Sequence, residues 1–237
     1  MISVIQFLID ALFPPQCVPC GKKLPSSARF VSLCDECFER VPIRNGFVCS
    51  VCGARQFSLI NTCHSGALII AAATDYTNRE AQLLIHALKY NGSRSATYPL
   101  TEILIRYIES REELSTHSGF ILIAVPLHKK RLRERGFNQS ELIAKSLHEQ
   151  LPDKFSYLNN VLNRTRNTPS QTEQKTHPDR NKNMSGAFEV VDPKEVVGKI
   201  IFLIDDVSTS GATIREAGCA LKNAGARSVF GLVVAKA

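Results

Sequence analysis

Lys199-Ile200-Ile201-Phe202-Leu203-Ile204-Asp205-Asp206-Val207-Ser208-Thr209-Ser210-Gly211-Ala212-Thr213 is the most informative stretch of this 237-residue sequence. The apolar run Ile200 to Ile204, bounded by turn chemistry, predicts a strand buried on both faces of a sheet. Asp205 and Asp206 follow at its carboxyl end. A small hydroxyl-rich loop, Ser208 to Thr213, comes next. Ile214, Ala217, Leu221 and Ala224 then recur at helical spacing, and Gly225 stands where a helix-ending residue belongs.

Ligands of open α/β sheets bind outside the carboxyl ends of the strands. Backbone N–H groups of the loop and the following helix N-terminus favour a phosphate. Ser208, Thr209, Ser210 and Thr213 add hydroxyl donors, and Gly211 permits close approach of the backbone. Asp205 and Asp206 would repel a phosphate in direct contact, so they belong one step away, accepting hydrogen bonds from sugar hydroxyls. A ribose 5-phosphate satisfies both halves. The stretch is neither a Walker A loop nor a dinucleotide fingerprint, because Gly-x4-Gly-Lys and Gly-x-Gly-x-x-Gly are both absent.

The length suits one α/β domain plus a small module. A net charge of +7 favours anionic ligands such as nucleotides, pyrophosphate or nucleic acid. Eight cysteines, seven of them within the first 63 residues, are the strongest compositional bias. No secretory signal is evident. Ile2 to Phe13 is apolar, but it starts without a basic region, contains Asp10 and is too short to span a bilayer. It reads as an amphipathic helix ending before Pro14-Pro15. Peripheral membrane association has little support there, because the stretch carries no Lys or Arg. The cysteines therefore read as cytoplasmic thiolates rather than disulfides.

Cys17-x2-Cys20, thirteen residues, then Cys34-x2-Cys37 is the spacing of a four-thiolate zinc site. A module this small folds only with such a staple. Cys49-x2-Cys52-Gly53 repeats the knuckle, but only Cys63 and the adjacent His64 follow it. A second zinc on Cys49, Cys52 and Cys63, with His64 a further candidate of awkward geometry because it adjoins Cys63, stands beside a degenerate ribbon in which Cys49 and Cys52 merely pack. The composition changes after this, and a domain boundary is expected near residue 65: a zinc-binding module over 1–65 and a larger domain over 66–237.

In the second part, Ala67 to Tyr76 suits a strand, and Asn78 caps a helix through Leu83, Leu84, Ala87 and Leu88 that ends at Lys89-Tyr90-Asn91-Gly92. A further helix is expected over about Pro99 to Glu113. Phe120 to Pro126 is a second buried strand. It runs into a strongly basic loop holding Lys129, Lys130, Arg131, Arg133 and Arg135. At a sheet's carboxyl edge such a loop would meet pyrophosphate, for which the Arg fork is well suited. Asn138 opens a helix with Leu142, Ile143, Leu147 and Leu151 on one face. Residues 163 to 183 are polar and apolar-poor, the composition of a lid or binding loop. Ser228 to Ala235 makes a last strand.

Leu203 to Thr213 resembles the phosphoribosyl pyrophosphate (PRPP) loop of type I phosphoribosyltransferases, with Ser210 where the usual form has a second threonine. That resemblance implies a parallel sheet flanked by helices, with PRPP held on Asp205 to Thr213 and its pyrophosphate on Lys129, Lys130, Arg133 and Arg135. Asp205 and Asp206 would be the catalytic pair, and magnesium would accompany PRPP. Residues 163 to 183 fall where such enzymes keep their mobile flap.

The whole order of motifs looks like the ComF family of bacterial competence proteins. These motifs are the cysteine-rich start, Val125-Pro126-Leu127-His128, Arg135-Gly136-Phe137-Asn138-Gln139, Gln171 with Arg180-x2-Asn183, Gly186-Ala187-Phe188 and the PRPP-type loop. The family implies a zinc-binding, PRPP-binding protein of natural transformation. It would act in the cytoplasm on incoming single-stranded DNA and alongside other competence proteins. Two further readings stay open: a phosphoribosyltransferase with an unknown acceptor, and a salvage enzyme unconnected to DNA uptake. Phe137 and Tyr90 could stack bases, although core packing is the expectation for both.

Overall fold

The structure, a computed structural model, describes residues 14–59, 62–166 and 186–237. The helix expected over Ile2 to Phe13, Gln171, Arg180, Asn183 and most of the expected flap lie outside the described residues.

The apolar run does form a strand, but a longer one. β8 (Ile200–Ser208) continues through both aspartates and Val207, so the acidic pair lies within the strand, and Ser208, expected as the first loop residue, is its last. The other strands are β1 (Phe47–Cys49), β2 (Arg55–Gln56), β3 (Ile69–Asp75), β4 (Phe120–Ala124), β5 (Phe155–Tyr157), β6 (Leu162–Arg164), β7 (Phe188–Val190) and β9 (Ser228–Lys236). The main sheet runs β2-β1-β3-β9-β8-β4-β5. From β3 to β5 every pairing is parallel, in register such as Ile201↔Val229 and Ile123↔Leu203. The hairpin β1–β2 adds to β3 antiparallel, so the ribbon before residue 65 and the strand after it share one sheet. β6 and β7 pair separately.

Helices cover both faces, as a parallel sheet requires. The α-helices, in chain order, are α1 (Asp35–Glu39), α2 (Arg79–Tyr90), α3 (Thr97–Glu109), α4 (Glu112–Ser115), α5 (Lys129–Arg135), α6 (Gln139–Gln150) and α7 (Ala212–Asn223). α2, α3 and α6 bury Leu84, Leu88, Leu100, Leu104, Ile143 and Leu147 against Phe202, Ile204, Leu232 and Val234. α7 and the β6–β7 hairpin bury Ile214, Leu221, Leu162 and Phe188 against Ile201, Leu203 and Val233 on the opposite face. The alternation of Phe202 and Ile204 with Ile201 and Leu203 between these clusters is the period-2 pattern of a strand covered on both sides.

The ribbon is docked on the first of these faces. The buried Tyr107 donates its hydroxyl to Gly46 O at 2.7 Å, Thr74 Oγ1 donates to Pro42 O at 2.7 Å, and the Arg106 guanidinium lies 4.9 Å from the centre of the Phe38 ring. Asn78 and Asn138 cap α2 and α6 through their side-chain oxygens, as expected from the sequence.

Candidate functional site

At the carboxyl end of β8 the chain turns at Gly211, φ 71°, and enters α7. This left-handed conformation favours glycine, and a Cβ here would overlap the Ser50 carbonyl oxygen and lie 3.0 Å from Ser50 Cα. The loop's N–H groups therefore stand at the start of a twelve-residue helix, where its dipole favours an anion. Ser208 is 4% exposed, and among the described residues its Oγ has no hydrogen-bond partner. Leaving a buried hydroxyl unpaired costs about 1–3 kcal/mol. Lys236 Nζ donates to Thr209 O at 2.7 Å, tying the loop to the end of β9.

The two aspartates have separate environments. Neighbouring strand residues point to opposite faces. Asp206 lies on the α2 side and is 2.8 Å from Lys89 Nζ through Oδ2, while its Oδ1 accepts from Val207 N at 2.9 Å. Burial works against the Lys89 ammonium, but the Asp206 charge outweighs it and holds the lysine above its ordinary range. Asp205 accepts from Ser140 Oγ at 2.9 Å and from Asp206 N at 2.9 Å. Its withdrawn position, and then the charge of Asp206, push it up to about 7, against the pull of Lys89. Asp205 thus titrates near neutrality, while Asp206 is committed to an internal ion pair.

The basic stretch expected as a loop is instead the helix α5. His128 caps it, accepting from Lys130 N at 3.3 Å, and Gly136 at φ 76° closes it. Helical spacing divides the cations. Lys129, Lys130 and Arg133 are exposed, whereas Arg131 and Arg135 are half-buried. Arg135 donates to Gln139 Oε1 at 3.0 Å and lies 5.3 Å from the Tyr90 ring centre. Tyr90 is 60% exposed rather than in the core, whereas Phe137 packs against the core edge beneath Arg94. A cleft of about 540 Å³ opens at the carboxyl end of β4, lined by Pro126, His128, Lys129, Asn138, Tyr157 and Arg164 among others.

The ribbon brings its cysteines into two groups. Ligand atoms of Cys17, Cys20, Cys34 and Cys37 lie within 4.8 Å of one another, and so do those of Cys49, Cys52, Cys63 and His64. A tetrahedral ion with Zn–S bonds of about 2.3 Å needs sulfurs about 3.8 Å apart. Cys20 and Cys34 are 3.8 Å apart. In the second group Cys52–Cys63 is 3.5 Å and Cys49 Sγ to His64 Nδ1 is 3.8 Å. Backbone N–H groups point at the sulfurs, Cys34 N at Cys17 Sγ and Val51 N at Cys49 Sγ, both at 3.4 Å. Both groups fit structural zinc, and His64 would be the fourth ligand of the second group, beside Cys63 despite being its neighbour in sequence.

Several site residues escaped sequence reasoning. Lys89 and Ser140 reach the aspartates from α2 and from the first turn of α6, and Arg215 holds the phosphate-type loop from α7. None of the three carries a local signal of this role, since each meets its partner only on folding.

Residues 8–66 match the double zinc ribbon domain family, and residues 138–236 match the phosphoribosyl transferase domain family. The sequence is 31% identical over 62% of its length to DNA utilization protein YhgH of Escherichia coli O157:H7, a match covering 63% of that protein. It is 29% identical to competence protein F of Haemophilus influenzae over 62% of this chain and 64% of that protein. Against competence protein ComFC of Streptococcus pneumoniae the identity is 26%, over 92% of this chain and 99% of that protein. The chain thus aligns with less than two thirds of the length of the first two of these relatives.

Proposed function

Because the chain belongs to the ComF family of competence proteins, we propose that the loop after β8 binds PRPP and that the protein acts on DNA during natural transformation. The observation that carries this reading is the sequence of groups at one strand end. A near-neutral carboxylate, Asp205, stands beside a hydroxyl-rich turn with the buried Ser208 Oγ unpaired and a glycine opening α7. The 5-phosphate would take the N–H groups and hydroxyls of Ser208 to Thr213. Asp205 would accept from the ribose hydroxyls. Magnesium would bind PRPP's own phosphate oxygens, as it does for polyphosphates generally.

Arg131 and Arg135, on the half-buried side of α5, are the better candidates for the pyrophosphate. Lys129, Lys130 and Arg133 face solvent, where they suit a longer polyanion. The exposed ring of Tyr90 stands against Arg135, on the same helix as these cations, and cations with an exposed ring make a surface of the kind that binds single strands by charge and stacking. This surface, together with relatives named for DNA utilization and competence, favours a role with single-stranded DNA over nucleobase salvage. Transfer from PRPP would displace pyrophosphate from C1, with the chain contributing position and charge. The acceptor would enter from the cleft beside β4.

The test is calorimetric titration of Mg·PRPP into zinc-loaded protein and into Asp205→Asn. Substituting Asp206 as well would confuse the result by stranding Lys89. Charge-assisted hydrogen bonds contribute about 1.5–3 kcal/mol each, so losing the carboxylate at two hydroxyls should weaken binding on the order of 100-fold. Absence of saturable binding by the folded wild type would dispose of the proposal.

The pH dependence offers a second check. Binding needs ionised Asp205, so affinity should rise from pH 6 to pH 8 beyond the change seen in Asp205→Asn. Stability of the ligand-free protein should run the other way. The folded value near 7 lies above the unfolded carboxylate value, so the stabilisation from a protonated Asp205 is complete below about pH 4 and lost as pH rises through 7. Melting temperatures that rise with pH over this interval for the wild type relative to Asp205→Asn would contradict the assignment.

A further inference from the structure

We infer that the second thiolate group is a structural part of the phosphate site, so that metal at Cys49, Cys52, Cys63 and His64 is thermodynamically coupled to anion binding on Ser208 to Thr213. The inference rests on the loop being the PRPP 5-phosphate site.

The coupling passes through Ser50, which lies inside the Cys49–Cys52 knuckle and is 2% exposed. Its N–H donates to Leu68 O at 2.9 Å, and its Oγ accepts from Leu68 N at 2.8 Å. Its carbonyl faces the phosphate-type loop. There it accepts from the Arg215 guanidinium, and the same Nη1 donates to Ser210 O at 3.0 Å. One arginine nitrogen thus pins the knuckle and the loop together. Gly211 completes the contact, because it is pressed so closely on Ser50 that only a residue without Cβ fits. Between the knuckle and the loop a cavity of about 310 Å³ is lined by Cys49, Cys52, Thr209, Gly211 and Lys236, among others.

The knuckle keeps its shape when a metal joins Cys49 and Cys52 to Cys63 and His64. Without metal, the segment carrying Ser50 keeps its bonds to Leu68, the turn bonds Cys49 N to Ala54 O at 2.9 Å and Gly53 N to Cys49 O at 3.0 Å, and β1, but the link from Cys49 and Cys52 to Cys63 and His64 is lost. The Ser50 carbonyl is then freer to leave Arg215. The loop loses the abutment that sets Gly211 in its left-handed conformation and aims the N–H groups at one point. The first thiolate group lies in the 14–43 part of the ribbon and takes no part in these bonds, which makes it an internal reference. Arg215 is on this account a positioning residue that acts through the loop without touching the phosphate.

Coupling between binding sites is reciprocal and typically amounts to about 5–150-fold. PRPP should therefore slow zinc loss from the second group, and loss of that zinc should weaken PRPP. The experiment uses the full, zinc-loaded chain in three measurements. Zinc transfer to a chromophoric chelator is followed with and without saturating Mg·PRPP. Hydrogen exchange at 49–53 and 209–212 is compared with exchange at 17–24. Mg·PRPP affinity is measured for Cys52→Ser and Arg215→Met.

The expected results are slower release of about half the zinc, by fivefold or more, and protection of 49–53 but not 17–24 by PRPP. Both variants should bind PRPP at least about fivefold more weakly, with faster exchange at 209–212 even without ligand. Arg215→Met should do so with zinc content unchanged, which a merely local packing defect in the ribbon would not produce, and Arg215→Lys should recover part of the affinity. If Cys52→Ser does not fold, Arg215→Met still decides. Exchange at 209–212 that matches the wild type in Arg215→Met overturns the coupling. If the wild type binds no PRPP but 209–212 loosens in both variants, the coupling stands and the PRPP assignment is what fails.

Discussion

Replacing Cys37 by serine is expected to cost the chain the first half of its zinc ribbon. Residues 14–43 have little apolar core of their own: Leu24, Phe30, Leu33, Phe38 and Val41 are the main buried side chains besides the cysteines. Zinc contributes apparent binding free energies of about 10–16 kcal/mol to small ribbons, and that binding is coupled to folding. Cys17 and Cys37 are each 1% exposed, so a serine at 37 would leave a buried hydroxyl where the ion needs a thiolate. In the metal-free arrangement, burial and then the neighbouring thiols push Cys37 well above the usual thiol range. Metal must displace that proton, so zinc affinity should fall as the pH is lowered. Hydrogen exchange and zinc content give the measurement. Protection should collapse over 14–43, about one zinc should be lost, and most of the helical circular dichroism should survive, because α2 to α7 lie in the larger part. Native-like protection at Phe30 to Val41 in the variant would refute the dependence on metal.

Lys89→Met should be the most destabilising single change near the acidic pair. The Lys89 and Asp206 side chains are 18% and 3% exposed, and removal of one partner leaves the other as a buried, unpaired charge. Such breaks cost about 3–5 kcal/mol. For a chain of this size that is a fall in melting temperature of roughly 10 °C. Replacing both partners by apolar residues of similar volume is often nearly neutral, so Lys89→Met/Asp206→Leu should recover most of the loss. Asp206→Leu alone should be somewhat less harmful than Lys89→Met, because the stranded Lys89 is the more exposed of the two. A double variant as unstable as the sum of the singles would mean that the two side chains do not act as a pair. At neutral pH the stabilising pair is fully formed, and because the Lys89 value is raised, its contribution fades only in strongly alkaline solution.

The legible parts of this protein are those whose causes are local. Ile200 to Ile204 is apolar because both faces of β8 are covered, and Ser208 to Thr213 is small and hydroxylated because a turn must bring N–H groups to one point. The cysteine spacing is read directly, since each Cys-x2-Cys makes its own knuckle. What stayed hidden depends on parts of the chain that meet only after folding. Arg215 and Ser50 are 165 residues apart, and nothing near either one announces the other. Lys89 reads as an ordinary lysine at a helix end until Asp206 arrives beneath it. Five cations in seven residues directly after a strand end read as a ligand-binding loop at the sheet's carboxyl edge. His128 and Gly136 cap α5, and the half-buried positions of Arg131 and Arg135 turn two of those charges inward. Adjacent residues such as Cys63 and His64 are awkward as joint ligands on sequence grounds, but the turn there presents both side chains to one point.

The strand order has a consequence for how the chain assembles. β3 is sandwiched between the ribbon strand β1, which is near it in sequence, and β9, which lies beyond residues 76–227. During synthesis β3 emerges with one neighbour already made and the other far in the future. A strand of six buried residues in a row, Ile69 to Thr74, the first five of them apolar, would then expose an open edge, the kind that pairs with other chains. The metal-bound hairpin β1–β2 covers one of its two edges early, while loop closure to β9 must wait for most of the chain. Cells short of zinc should therefore accumulate this protein as aggregates formed during translation, even where the finished molecule tolerates the loss of its metal.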